Sequence, residues 1–251
     1  MPVTRKTEAQ LIEVFSSIQG EGLWVGCRQI FVRLAACNLA CRYCDTPFAP
    51  VADCRMEEAP GSGLFCNLAN PVPLDLLHDT LFGWIQLLPG VHHSISLTGG
   101  EPLLQADALR HWLPSLGELL PVHLETNGTL FRELAGLLEF LAFVSMDIKL
   151  ASMTGMVTPW ESHREFLLRA RKTDCQVKLV VGEETPLAEV EQAAALMREV
   201  APEVPLILQA VTRSDGSAVA GRTLLEFQTR AAAIHPAVRV IPQTHRFSGL
   251  L

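Results

Sequence analysis

The sequence holds no run of lysine and arginine. Its 27 acidic residues outnumber its 20 basic ones, for a formal net charge of −7. A groove for nucleic-acid phosphates needs a basic surface, so nucleic acid is not an expected partner. No stretch reaches the roughly 18 uncharged apolar residues of a membrane span. The most apolar run, Gly136 to Met146, is interrupted by Glu139. Arg5 and Lys6 are followed by no apolar segment, so no secretory leader is expected. Internal repeats and low-complexity tracts are missing too. The seven cysteines are odd in number and three of them cluster. That argues against a secreted disulfide framework and for a reducing compartment. Together these absences predict a cytoplasmic protein that engages neither membrane nor nucleic acid.

A chain of 251 residues, 49% of them hydrophobic, can fill a large core without disulfides, burying about 70–75% of its unfolded surface. Helical spacing runs over 74–88 up to Pro89-Gly90, and over 106–119 with a break expected at Pro114. It recurs over 130–141, 160–173, 186–200 and 222–234, with Thr185-Pro186 expected to cap the third of these four. Strand patterns fall at 11–18, 29–35, 94–97, 122–125, 142–148, 176–181, 206–209 and 238–241. Such alternation predicts an α/β fold, with parallel strands and helical crossovers, in one domain spanning 1–251. Residues 47–73 carry five prolines with Gly61 and Gly63, and read as a long irregular insertion. Its Cys54 and Cys66, like Cys27 and Cys175, lack ligand spacing and read as buried or idle thiols.

Cys37, Cys41 and Cys44 are spaced C-x3-C-x2-C. Three thiolates so close can wrap one face of a metal centre. Structural zinc wants four N or S ligands, yet the next cysteine is Cys54 and the first histidine is His78. An iron–sulfur cubane is usually held by four thiolates, one per iron. Three would leave one iron open to a ligand that reacts.

Other polar groups gather at predicted strand ends. Thr98-Gly99-Gly100-Glu101 follows one strand, Glu125-Thr126-Asn127-Gly128 ends a second, and Asp147-Ile148-Lys149 ends a third. Gln209 ends a fourth, Gln243-Thr244-His245 follows a fifth, and the cysteine loop follows 29–35. In a β/α barrel these ends converge on one rim, where active sites sit. Arg33 is a charge in an otherwise apolar strand. It is either a salt bridge at the strand end or a two-pronged clamp for a substrate carboxylate. Gln19-Gly20-Glu21-Gly22 is either an ordinary turn or a place where backbone approaches a ligand.

The cysteine triad, with Thr98-Gly99-Gly100-Glu101-Pro102 downstream, resembles the radical S-adenosylmethionine (SAM) superfamily. Gln19-Gly20-Glu21-Gly22, Cys44-Asp45-Thr46 and Pro242-Gln243-Thr244-His245 make the sequence similar to the 7-carboxy-7-deazaguanine synthases of the queuosine pathway. The similarity runs from about Ile12 to the C-terminus, apart from 47–73. It implies an incomplete, open β/α barrel of the radical SAM type, working as a homodimer with an external electron donor. It also implies a [4Fe–4S] cluster on Cys37, Cys41 and Cys44, and Mg²⁺ on Thr46. SAM would be held by Tyr43, Asp45, Gly100, Glu101, Asn127, Asp147, Ile148, Lys149 and Gln209. A pterin substrate would meet Ile18, Gln19, Gly20, Glu21, Arg33, Thr98, His245 and the terminal carboxylate of Leu251. The family often has Ser-Pro-Lys where this chain has Asp147-Ile148-Lys149. The implied chemistry splits SAM to a 5′-deoxyadenosyl radical and converts 6-carboxy-5,6,7,8-tetrahydropterin to 7-carboxy-7-deazaguanine, with loss of ammonia. Two other readings share part of the pattern. A radical SAM activase acting on a partner protein would need the cysteines and the Gly-Gly-Glu-Pro turn, but not Arg33 or the C-terminal motif. A zinc-binding interaction module would hold zinc in place of iron and sulfide.

Overall fold

Polar residues recur at alternate positions along the central strands, and this pattern shapes the architecture. The structure, a computed structural model, describes residues 7–44, 48–212 and 219–245. Its strands are β1 (Glu8–Ala9), β2 (Leu11–Ile18), β3 (Arg28–Leu34), β4 (Asp53–Glu57), β5 (Phe65–Ala69) and β6 (Val72–Pro73). Then come β7 (Ser94–Gly99), β8 (Val122–Thr126), β9 (Phe143–Ile148), β10 (Cys175–Val181), β11 (Leu206–Ala210) and β12 (Val238–Val240). The helices are α1 (Leu74–Leu87), α2 (Ala106–Leu119), α3 (Phe131–Leu134), α4 (Ala151–Thr154), α5 (Trp160–Ala170), α6 (Leu187–Val200) and α7 (Gly221–Ile234).

Ten strands form one sheet in the order β12-β11-β10-β9-β8-β7-β3-β2-β4-β5. From β3 through β7 to β12 all neighbours are parallel. β2 runs antiparallel to β3, and β4 and β5 extend the sheet beyond it. The two ends of the sheet do not pair with each other, so the barrel is open. Ile95, Leu97, Leu124, Val144, Met146, Val177, Leu179 and Leu208 belong to the buried core packed with Leu77, Leu109, Trp112, Phe166 and Met197 of the helices. The alternate positions, Ser96, Glu125, Asp147, Lys178 and Gln209, turn the other way. Strands covered on both faces normally read as continuous apolar runs. Here the inner face is reserved for something polar.

Four local expectations change. Residues 47–73 are not irregular throughout: β4 and β5 form a hairpin, paired from Asp53–Ala69 to Glu57–Phe65. Its turn holds Gly61 and Gly63, whose amides donate to the Glu57 carboxylate at 3.0 and 2.8 Å. The glycines and Pro60 shape the turn between two strands. Pro114 does not break α2. It is exposed, so the carbonyl it leaves unbonded can face water, and the buried Leu109, Trp112, Leu113 and Leu116 hold the helix around it. Residues 130–141 split into α3 and a short 3-10 turn, Leu138–Phe140, on either side of Gly136. Pro186 stands just before α6, not in its first turn, and no side chain caps that helix end. The Thr185 hydroxyl accepts instead from the Gly182 amide at 2.9 Å.

His163 staples the outer layer to the strand ends. It is fully buried on α5, accepts from the Lys149 amide at Nε2 (3.1 Å) and sets Nδ1 3.2 Å from the Gly128 carbonyl. A neutral ring with the proton on Nδ1 satisfies both. Burial pushes its pKa down from 6.5 to about 4. The unfolded chain therefore takes up the proton first as pH falls. The stability that neutral His163 contributes is complete above pH 6.5 and drains away toward about pH 4. Prediction: in urea titrations the advantage of wild type over His163→Gln shrinks between those limits, by on the order of 3 kcal/mol. A pH-independent difference would refute the assignment.

Candidate active site

The inner face of the curled sheet encloses a cavity of about 230 Å³. Cys37, Cys41 and Cys44 stand at its edge, on the loop after β3. Ala36 takes a left-handed backbone conformation (φ 70°) as the chain turns into that loop. The loop seats on the end of β7 through Gly100 N to Leu34 O (3.0 Å) and Glu101 N to Ala36 O (2.8 Å). A side chain at Gly100 would collide with the Ala36 carbonyl, so the Gly-Gly turn is what lets strand and loop touch. Burial raises the Cys37 and Cys41 thiols, and the charges of Cys37 and Cys44 raise Cys41 further. The three sulfurs are thus electrostatic neighbours. Cys37 Sγ also receives the Leu39 amide at 3.5 Å and Asn127 Nδ2 at 3.9 Å, the kind of donors that tune cluster sulfurs. Among the described residues, no three His, Cys, Asp or Glu side chains surround a single-ion position. A cubane asks for something different, one thiolate on each of several irons. The donor set fits that group.

Next to the triad lies a polar wall. Asn127, Asp147, Lys149, Gln209 and Tyr43 all line the cavity. Lys149 donates to Asp147 Oδ2 at 2.8 Å and to the Tyr43 hydroxyl at 3.2 Å. Burial opposes the Lys149 charge, but Asp147 overrides it and raises the ammonium pKa well above 10.5. Gln209 Oε1 is buried without a hydrogen-bond partner. Orphan acceptors of this kind are rare, and one facing a cavity fits a ligand bearing an N–H donor, as SAM does. Two residues expected here sit elsewhere. Glu101 is fully buried behind the wall, its carboxylate accepting from Leu103 N, Thr126 Oγ1 and Asn127 N at 3.1, 2.8 and 2.7 Å. Burial lifts its pKa to about 7. It fixes the end of β8 while Gly99 and Gly100 face the cavity. Ile148 points into the outer core.

The floor is built from the segment after β2 and the one after β12. Ile18, Gln19, Gly20, Glu21, Gln243 and His245 all reach it. Thr244 N donates to Gly20 O at 2.8 Å, and Gln243 Nε2 to Glu21 Oε1 at 2.8 Å. The two segments close the gap that the open sheet leaves. Gln19 spends its amide on Gln29 and Glu125, both at 2.9 Å, and accepts from Glu21 N at 3.0 Å. Arg33 and Thr98 complete the lining. Arg33 is paired with Glu13, as the salt-bridge reading expects: its Nε is 3.5 Å from Glu13 Oε1, too poorly aligned to hydrogen bond, and its guanidinium lies 5.2 Å from the Phe15 ring centre. Asp45, Thr46 and Leu251 lie outside the described residues.

Lys178 on β10 was not legible as a site residue, yet it lines the cavity and pairs with Glu21 and, at 3.4 Å, with Asp147. A lone charge in an apolar strand was its signal, the same one Arg33 carries. None of the seven cysteines forms a disulfide. Cys54 and Cys175 are buried, and burial pushes their thiols up to about 12; Cys66 is exposed.

A side chain at Gly20 would overlap the His245 ring. Gly20→Ala is therefore expected to lift 243–245 off the floor, speeding hydrogen exchange of the Thr244 amide while the cysteine loop keeps its iron. Unchanged protection at Thr244 would show that the closure does not depend on Gly20.

Comparison with known proteins agrees with this geometry. Residues 32–172 match the radical SAM superfamily. The chain is 47% identical over 248 residues to the 7-carboxy-7-deazaguanine synthase of Geobacter sulfurreducens, covering 98% of this chain and 99% of that protein. It is 34% identical over 263 residues to that of Methanothermobacter thermautotrophicus, covering 96% and 98%. Among solved structures it shares its fold with Escherichia coli QueE, at TM-score 0.56 and 19% identity over 95% of each chain. Streptococcus suis SuiB bound to S-adenosylmethionine matches 82% of this chain and 48% of its own, at TM-score 0.54 and 16% identity. The chain is a radical SAM enzyme and belongs to the 7-carboxy-7-deazaguanine synthase family.

Proposed function

We propose that this protein converts 6-carboxy-5,6,7,8-tetrahydropterin to 7-carboxy-7-deazaguanine, releasing ammonia. One observation carries the reading: the cysteine loop, the orphan acceptor of Gln209, the Arg33 guanidinium and the Glu21–Gln243 floor all face a single cavity. Cys37, Cys41 and Cys44 would hold a [4Fe–4S] cluster, and SAM would lie against Gly100, Asn127, Asp147, Lys149 and Gln209. When bound, the cluster would supply the electron for reductive cleavage of SAM to methionine and a 5′-deoxyadenosyl radical. The chain's own work is geometric and electrostatic. Arg33 offers a planar pair of donors to the pterin carboxylate. Glu21 and Gln19 meet the opposite, hydrogen-bonding edge of the ring, and Thr98 and His245 confine it between them. The closed floor keeps out competing hydrogen-atom donors that would quench a radical. Mg²⁺ on Thr46, beside the substrate, belongs to the same proposal, as does a carboxylate contact from Leu251. So do a cytoplasmic homodimer of single-domain chains and an external one-electron donor. Cys44 is exposed, which supports donor access at that corner. No helix among the described residues is long and apolar enough to cross a membrane.

The deciding experiment incubates the anaerobic protein with SAM, reductant and carboxytetrahydropterin, and looks for the deazaguanine acid by mass. Cys37→Ala, Cys41→Ala and Cys44→Ala should each abolish cluster and product. Arg33→Ala should lose at least about tenfold in pterin affinity, while reductive SAM cleavage persists. A cysteine variant with full iron and turnover would overturn the ligand set, and unweakened pterin binding would remove Arg33 from the site.

A further inference from the structure

The reaction just proposed leaves one buried cation without a task. Lys178 sits mid-strand on β10 between Val177 and Leu179 and is 7% exposed. Its ammonium donates to Glu21 Oε2 and lies 3.4 Å from Asp147 Oδ1. Glu125, from β8, adds its charge to the same field. The other Glu21 oxygen, Oε1, accepts from Gln243 Nε2 at 2.8 Å, and His245 contributes from the same segment. Each Glu21 oxygen is therefore fixed by a different side chain, one from β10 and one from the segment after β12.

A carboxyl group facing a closed cavity can take two forms. Protonated, it donates one hydrogen bond; ionised, it only accepts. The amino and ring N–H groups of a reduced pterin are adjacent donors, and only the ionised form offers them both oxygens as acceptors. We infer that Lys178 is a positioning residue for the heterocycle: pinned between Glu21 and Asp147, it keeps the Glu21 carboxylate an oriented acceptor for the N–H edge of the ring. This rests on the proposed pterin reaction. Burial by itself would raise the Glu21 pKa, but Lys178, Gln243 and His245 overcome it and hold it at about 2. Without Lys178, only Gln243 and His245 are left to oppose the burial that favours protonation.

The test measures equilibrium binding of carboxytetrahydropterin to iron-loaded, SAM-bound enzyme across the mildly acidic to neutral range. Lys178→Met should weaken binding at least about tenfold, with a loss that deepens as pH falls. Lys178→Arg should restore most of the affinity and the flat profile. In the double variant Glu21→Gln/Lys178→Met the added pH dependence should vanish, because the titrating carboxyl is gone. That neutral pair also covers the case in which Lys178→Met does not fold, and its affinity must then be weak and pH-independent. Wild-type affinity in Lys178→Met or in the double variant overturns the inference. So does an acid-deepening loss that survives Glu21→Gln. Failure of wild type to bind the carboxypterin while it still cleaves SAM would overturn the pterin reading itself, a separate result.

Discussion

Lys178 and Glu21 form an ion pair in a place where water hardly reaches, and the organisation of the interior follows from keeping it satisfied. Moving two charges out of water is costly, and their attraction repays the cost only when the remaining donors and acceptors are also filled. The lysine finds a second carboxylate in Asp147. Glu21 finds Gln243, and Asp147 finds Lys149. Losing one member of such a set costs about 3–5 kcal/mol, because the other is stranded. Strands β9 and β10, the turn after β2 and the segment after β12 are thereby tied into one electrostatic unit. The polar lumen is tolerable because its charges are tied together.

The same unit explains how an open sheet makes a closed site. β12 and β5 are far apart in the strand order, so no ladder of backbone bonds seals the barrel. The seal is made by Thr244 on Gly20 and Gln243 on Glu21. Two short segments do what another pair of strands would do in a complete barrel. Because they carry side chains of the site, closing the fold and assembling the floor are one event.

Much of this was legible in the sequence because it was local or periodic. The cysteine spacing placed the loop, and the Gly-Gly turn announced a close approach that Gly100 and Ala36 make. Alternating elements gave the parallel sheet, and polar strand ends gave the rim. What escaped depended on pairing across distance. Lys178 carries the same signal as Arg33, a charge inside an apolar strand, but its partners Glu21 and Asp147 lie 157 and 31 positions away, and only the fold joins them. Glu101 was expected to face a ligand, yet three donors draw its carboxylate inward. The hairpin of β4 and β5 was hidden by the prolines and glycines around it, which punctuate the strands without entering them. Pro114 misled in the opposite sense: on an exposed helix face a missing amide is cheap.

The inside–outside alternation of β7 to β11 has an engineering corollary. Along each strand, neighbours in sequence answer to different demands: one fills volume against the helices, the next sets charge and hydrogen bonding in the lumen. Substituting Leu97 or Val144 would be judged by size, substituting Ser96 or Asp147 by polarity. The scaffold could therefore be hardened against heat by repacking its helix-facing half alone, leaving the reactive chamber untouched.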